Sequence, residues 1–436
     1  MENFRIESLE INKIGAFEHI KMDFPKKTDP DKAEIHILTG ENGTGKSTVL
    51  ESLAQSFGTG ANINFLPKKL WDDTGIADVH FSENLNSILD FDVLKQNNTL
   101  GINKLGQIKF QEKIFNYSER LNNPDDYTFN FVTIAYSGHR SFSDVKVSGI
   151  DENLENSMVN ALSFQKSINP KTILQWLANT KSKEYIAKGK GDENKSLLFA
   201  QKILDIEKII SEIICAKNEE NVRIELEEDK FQIQLKIRNH FLSFDQLPDG
   251  IKSVFGWVAD LVIRLHRLKW ENDTPIFERN FILFLDEIEV HLHPAWQRKI
   301  LPVVQKLFKN AQIFISTHSP FVVGSVDGAW VHKLKKGDDG FAVLDGEPVL
   351  SEDAESYDTI LEEIFGIKER FGDEIEIKLK EFSDITKEIL KGNEHRLVRW
   401  NEIILFFENQ ERPDEIMSYI TPQIRQINRI RNQVVA

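Results

Sequence analysis

The stretch GENGTGKST, Gly40 to Thr48, fits the pattern Gly-x-x-x-x-Gly-Lys-Ser/Thr. It lies between a strand-like apolar run, EIHILT, and an amphipathic run, STVLESLAQSF. In that context the pattern specifies a local fold: a strand, a tight loop, and a helix whose first amides face an anion. Glycines let the backbone curl into a concave nest of N–H donors. Lys46 then reaches the β- and γ-phosphates of a triphosphate, and the Ser47 hydroxyl ligates magnesium. Asn42, Gly43, Thr44, Gly45, Lys46, Ser47 and Thr48 are the expected cradle, with ATP and Mg2+ as its ligands.

Such a loop calls for an apolar strand ending in acid, and FILFLDEIEVHLHP supplies one. Asp286 is placed to hold magnesium, and Glu287 to orient and polarise an attacking water. A phosphotransferase has no need of a water-positioning carboxylate directly after the metal ligand, whereas a hydrolase does. A further strand, NAQIFIS, ends at Ser316, and His318 follows where an imidazole contacts a γ-phosphate; the bland alternative is a turn residue. About thirty positions separate Asp286 from His318, room for one helix, PAWQRKILPVVQKLF, and one strand of a right-handed parallel crossover. The run LSFDQLPDGIKSVFGWVADLVIRLHRL predicts an amphipathic helix opened by Asp249 and Gly250, either as an anion-facing N-terminus or as a plain helix cap.

Elsewhere the pattern is coarser. Residues 3 to 24 alternate as an antiparallel pair broken near Gly15, and YTFNFVTIAY reads as a buried strand. Residues 58 to 128 read as surface excursions, and roughly 154 to 218 as helical. NVRIELEEDKFQIQLKIRN reads as a hairpin turning at Glu228 to Lys230, and VHKLKKGDDGFAVL as one turning at Gly337 to Gly340. Helix follows beyond about residue 350.

The order of P-loop, glycine-opened helix, strand-Asp-Glu and strand-Thr-His-Ser-Pro resembles the ABC-type ATPases of the RecF, SMC and overcoming-lysogenization-defect group. IESLEINKIGAFEHIKMDF is similar to that group's opening hairpin. The resemblance implies an α/β fold: an ABC-type P-loop ATPase head, with a mixed sheet, an N-terminal antiparallel β part, a helical insertion and a C-terminal helical region. It divides the chain into an N-terminal lobe with the P-loop (1–140), a helical insertion (141–220), a part carrying the hairpin, signature helix, Walker B strand and His switch (221–348), and a helical partner-binding region (349–436). It also implies that Leu247 to Ile251 form a signature loop, with Asp249 and Gly250 completing the P-loop site of a second copy in a head-to-tail dimer or a multiple of it. Pro248 stands where the group has a serine, which implies slow turnover. The group's glutamine after the 129 to 135 strand is missing from YSGHR, leaving Ser137, His139 or Arg140 in its place. A metal reading of His291 and His293 with Glu289 competes with their place in a loop facing the dimer partner.

SFDQLPDGIKS, SYDTILEEIFGI and the tail near DEIMSYITPQIRQINRIR narrow the resemblance to the ATPase subunits of Septu and retron anti-phage systems, which implies a separate HNH nuclease partner. No paired DxD strand or HNH constellation occurs in the tail itself. The alternative is a RecF-like DNA maintenance ATPase whose dimer binds DNA. A formal net charge of −15 excludes a surface that is wholly a nucleic-acid footprint. The single cysteine, Cys215, reads as a core thiol, and it excludes a disulfide framework or cysteine zinc site within one chain. No apolar run is long enough for a membrane span, and the N-terminus has no apolar signal core, so the expectation is a cytoplasmic protein without membrane contact.

Overall fold

The strands that flank the predicted nucleotide loop are buried on both faces, and this sets the architecture. A computed structural model describes residues 5–57, 71, 75–82, 99–102, 108–109, 123–138, 145, 147, 149–164, 166–215, 221–227, 229–352 and 356–434. It divides into two compact units, Met1–Phe365 and Gly366–Ala436.

In chain order the first unit runs β1 (Ile6–Ile14), β2 (Phe17–Asp23), β3 (Glu34–Gly40), α1 (Lys46–Gln55), β4 (Ile76–Phe81), β5 (Thr99–Ile102), β6 (Ile108–Lys109) and β7 (Val132–Tyr136). It continues with α2 (Pro170–Gly189), α3 (Glu193–Ile214), β8 (Arg223–Glu227), β9 (Gln232–Ile237), β10 (His240–Ser243) and α4 (Asp249–Arg267). β11 (Phe281–Leu285), α5 (Pro294–Leu307), β12 (Ala311–Ser316), β13 (Trp330–Lys336), β14 (Ala342–Leu344) and β15 (Val349–Leu350) complete it.

The central sheet has the order β14-β13-β3-β12-β11-β7, with β15 also on β13. The five strands from β13 to β7 are parallel. β7, β11 and β12 are buried at every position, which is why they read as continuous apolar runs rather than alternations. A second sheet, β2-β1-β4-β5-β6, is antiparallel, and the β1–β2 pair is the predicted opening hairpin. β8, β9 and β10 form a third, with β8 and β9 the predicted hairpin strands; Glu228 of its turn lies outside the described residues. The mixed α/β class and the antiparallel N-terminal part are thus as expected.

Two local readings are corrected. Helix does not begin near 154: residues 151–164 and 166–169 are turns and irregular chain, and α2 starts at Pro170. The Asn169 side chain accepts from the amides of Lys171 and Thr172, while Pro170 takes the first helical position, where its missing N–H costs nothing. Part of the 58 to 128 region is sheet rather than excursion. IADVHF buries alternate residues as β4 against β1, and β5 and β6 extend that sheet; much of the remaining region lies outside the described residues. Cys215 is a half-buried thiol in no disulfide, at the end of α3 and packed against the core.

The unit Gly366–Ala436 is a helical bundle of α6 (Asp373–Leu390), α7 (Leu397–Glu408) and α8 (Pro413–Val434). Phe382 stacks on Trp400 at 5.5 Å, and the indole donates to the Thr386 hydroxyl at 2.8 Å. Phe407, Ile420 and Ile427 fill the remaining core.

Candidate functional site: the cavity over the P-loop

Strand order brings the site together. β3, β12 and β11 are consecutive neighbours, so the loop after Gly40, the residues after Ser316 and the acid after Leu285 emerge side by side at one sheet end. The crevice beyond the carboxyl ends of parallel strands is where α/β sheets bind ligands.

The loop bends as its glycines require. Gly45, the N-cap of α1, has φ 88°, and a Cβ there would stand 2.4 Å from the Phe17 ring, so both backbone hand and space demand glycine. The amine of Lys46 donates to the carbonyls of Gly40 at 2.9 Å and Glu41 at 2.8 Å. Burial pushes its pKa down, against the pull of Asp286, Glu287 and Glu289. Thr44 faces inward: it is fully buried and its hydroxyl donates to the Glu41 carbonyl at 2.8 Å.

The Ser47 hydroxyl donates to Asp286 Oδ1 at 3.1 Å, linking P-loop and acidic strand across 239 positions of sequence. The Ser316 hydroxyl donates to the same oxygen at 2.5 Å and accepts the Glu287 amide at 2.9 Å. That bond holds Glu287 in the left-handed region, φ 49°, an unfavourable backbone for a non-glycine residue. The Asp286 amide donates to the carbonyl of Tyr136, the last residue of β7.

A cavity of about 340 Å³ covers this end of the sheet, lined by Asn42, Gly43, Gly45, Lys46, Ser47, Thr48, Glu287, Ser316 and His318, with Gly15 and Ala16 from the β1–β2 turn. Of the expected cradle, metal and catalytic residues, Thr44 and Asp286 are not in its wall, and Asp286 is bound to Ser47 behind it. Burial and the Lys46 charge both push the His318 imidazole down from its ordinary pKa, so it is neutral at neutral pH. The Ser47 hydroxyl and Asp286 carboxylate are the hard oxygen donors that suit magnesium, and the backbone cradle suits phosphate.

Asp249 and Gly250 open α4 as expected but do not line their own chain's cavity. The Asp249 side chain is 79% exposed. Gly250 is buried against the next loop: a Cβ there would lie 2.6 Å from the His291 carbonyl. Ser137 follows β7; His139 and Arg140 lie outside the described residues. The metal reading of Glu289, His291 and His293 finds no support. Glu289 accepts the His318 amide and His293 Nδ1 accepts the Ala295 amide, and no metal-holding group of His, Cys, Asp or Glu occurs among the described residues.

Ser316, Gly15 and Ala16 were not foreseen as site residues. Ser316 had a signal, a hydroxyl at the strand end two positions before His318; the hairpin turn becomes legible only once β1 and β2 are seen to stand over the loop.

Beside this geometry, comparison with known proteins is direct. A retron Ec83 probable ATPase of Escherichia coli is 24% identical over 407 residues, covering 76% of this chain and 72% of that protein. A Septu protein PtuA of Bacillus thuringiensis is 21% identical over 326 residues, covering 73% and 72%. An SMC head, solved in complex with the C-winged-helix domain of ScpA, superposes with a TM-score of 0.48 at 15% identity, covering 83% of this chain and 99% of that one. An AAA domain model matches residues 4–63. A broader model, described as an AAA domain, putative AbiEii toxin, Type IV TA system, matches residues 35–324, well over half the chain. From Gly40 of the P-loop to His318, every residue described in this cavity beyond the β1–β2 turn falls within that match, and the chain belongs to this AAA domain family.

Proposed function

We propose that this chain binds ATP with magnesium, hydrolyses it slowly, and acts as the nucleotide switch of an anti-phage defence complex containing a separate nuclease subunit. The observation that carries the reading is that Glu287 and His318, from two different strand ends, share one cavity with the P-loop.

Asn42, Gly43, Gly45 and Lys46 would hold the triphosphate, and Ser47 and Asp286 the metal. Bound magnesium supplies charge neutralisation at the phosphates. Glu287, held by Ser316, orients a water and takes its proton; neutral His318 donates a hydrogen bond to the terminal phosphate. Asp249 and Gly250, outside their own chain's cavity, complete the site of a second copy, so nucleotide closes a head-to-tail dimer. Closure from 1:99 to 99:1 needs about 5.5 kcal/mol of differential binding. Pro248 offers no hydroxyl at this junction, in keeping with slow turnover. The relatives named as Septu PtuA and retron ATPases support the defence setting. The resemblance to Septu and retron ATPase subunits makes an HNH protein the nuclease partner and residues 349–436 its docking region.

The test is co-expression with the neighbouring reading frame, followed by purification and phosphate release. A stable complex with an HNH protein and turnover abolished by Glu287→Gln is the expected result. Salt-sensitive DNA binding by the isolated chain, without a nuclease partner, would replace the defence reading by the DNA maintenance one.

A further inference from the structure

The carboxylate two positions beyond Glu287 is absent from the cavity wall, yet it is tied to a residue that lines it. Glu289 Oε1 accepts the backbone amide of His318 at 2.6 Å, joining the loop after β11 to the turn after β12. Its other oxygen, Oε2, is buried with no hydrogen-bond partner. Burial pushes the Glu289 carboxyl above its ordinary range; the His318 amide, the amide of Glu289 itself and the Thr317 hydroxyl pull it back, and neighbouring Glu287 pushes it further up. A second tie runs beside it: the Ser319 hydroxyl donates to Gln297 Oε1 at 2.6 Å, and Gln297 Nε2 donates to the Leu292 carbonyl at 2.9 Å.

A half-buried carboxylate carries a desolvation cost, and an aliphatic side chain there would avoid it only by leaving the His318 amide without its acceptor. What distinguishes Glu289 is the identity of the amide it holds. His318 carries its imidazole on the same residue, so the height of that peptide above the sheet fixes where the ring stands against Glu287 and Lys46. Misplacing a reacting group by about 1 Å costs on the order of a hundredfold in rate.

We infer that Glu289 is a positioning residue, which sets His318 in the cavity wall through the His318 backbone amide and so couples the loop bearing Glu287 to the turn bearing His318. This rests on the proposed ATPase reading of the cavity. Because the role requires an acceptor oxygen rather than a charge, Gln serves in place of Glu and Ala does not.

The experiment compares wild type, Glu289→Gln and Glu289→Ala by hydrogen exchange over the 316–320 segment and by ATP turnover, with thermal melting to verify folding. Glu289→Ala should exchange the His318 amide at least about tenfold faster, and Glu289→Gln should stay within about threefold of wild type. In turnover, Glu289→Ala should lose about tenfold or more in kcat with KM little changed, and Glu289→Gln should recover most of it. Unchanged exchange in Glu289→Ala, unchanged kcat, or a Glu289→Gln variant as impaired as Glu289→Ala would overturn the inference. Should Glu289→Ala fail to fold, Glu289→Asp, too short to reach the amide, replaces it with the same expectations. If wild type itself does not hydrolyse ATP while exchange responds as stated, the hydrolysis reading falls and the clamp on His318 stands.

Discussion

Ser47 and Asp286, 239 positions apart in sequence, are joined by a hydrogen bond of 3.1 Å between hydroxyl and carboxylate. Both oxygens therefore converge on one point beside the P-loop. Ser47→Ala removes one of two candidate metal ligands and leaves the cradle intact. It should weaken magnesium-dependent nucleotide binding by about tenfold while binding in EDTA changes little, as calorimetry with and without the metal would show. Equal losses under both conditions would remove Ser47 from the metal's coordination.

Replacing Glu287 and Lys46 tests the proposed division between chemistry and binding. Glu287→Gln keeps shape and hydrogen bonding but removes the proposed base; hydrolysis should fall by about a hundredfold or more with nucleotide affinity preserved. Lys46→Ala should lose binding itself. Fluorescent-nucleotide titration beside phosphate release distinguishes the two, and ordinary turnover in Glu287→Gln would exclude Glu287 from the mechanism.

Gly45 is a stability probe. With φ at 88° and the Phe17 ring 2.4 Å from where a Cβ would sit, Gly45→Ala must strain the loop or displace the ring. A loss of about 1–3 kcal/mol in urea unfolding is expected. A stability equal to wild type would mean that the β1–β2 turn yields freely.

Acid sensitivity should originate at the P-loop strand. Glu34 on β3 opposes its own burial with hydrogen bonds from His36 and Arg5, which hold its carboxyl down at about 2. A depression of that size from the ordinary value corresponds to roughly 3 kcal/mol, present above the ordinary carboxylate range and lost as pH falls toward 2. His36 and His332, 3.2 Å apart in the core, are both lowered by burial. Unfolding lets them take up protons, so their contribution declines as pH falls below the ordinary value of 6.5. His332→Phe, beside Phe24 and His36, should flatten the loss of melting temperature between about pH 7 and 5, while costing about 1–2 kcal/mol at neutral pH by leaving the His36 ring nitrogen unpaired. An unaltered pH slope would remove His332 as a source.

What was legible in the sequence was what depends on short range. GENGTGKST carries its own glycines, FILFL and QIFIS carry the continuous apolarity of strands covered on both faces, and Asp286 and Glu287 follow directly. Ser316 and Glu289 act across strand neighbours, and no local pattern states that β12 lies between β3 and β11. The false helix start at 154 arose because apolar residues in a packed turn mimic helical spacing until Asn169 and Pro170 supply the cap. β4 was overlooked because its alternation lasts only six residues and lies within a polar stretch.

Gly250 leaves no clearance beneath the His291 carbonyl, so the first turn of α4 and the segment trailing Glu287 abut through bare backbone. Gly250 itself adds no side chain to that joint, and the edge of the Trp296 indole stands beside it, 3.1 Å from where a Cβ would sit. A side chain at position 250 would have to push the two apart, so glycine is what lets the exposed Asp249 end of α4 and the segment trailing Glu287 keep this spacing.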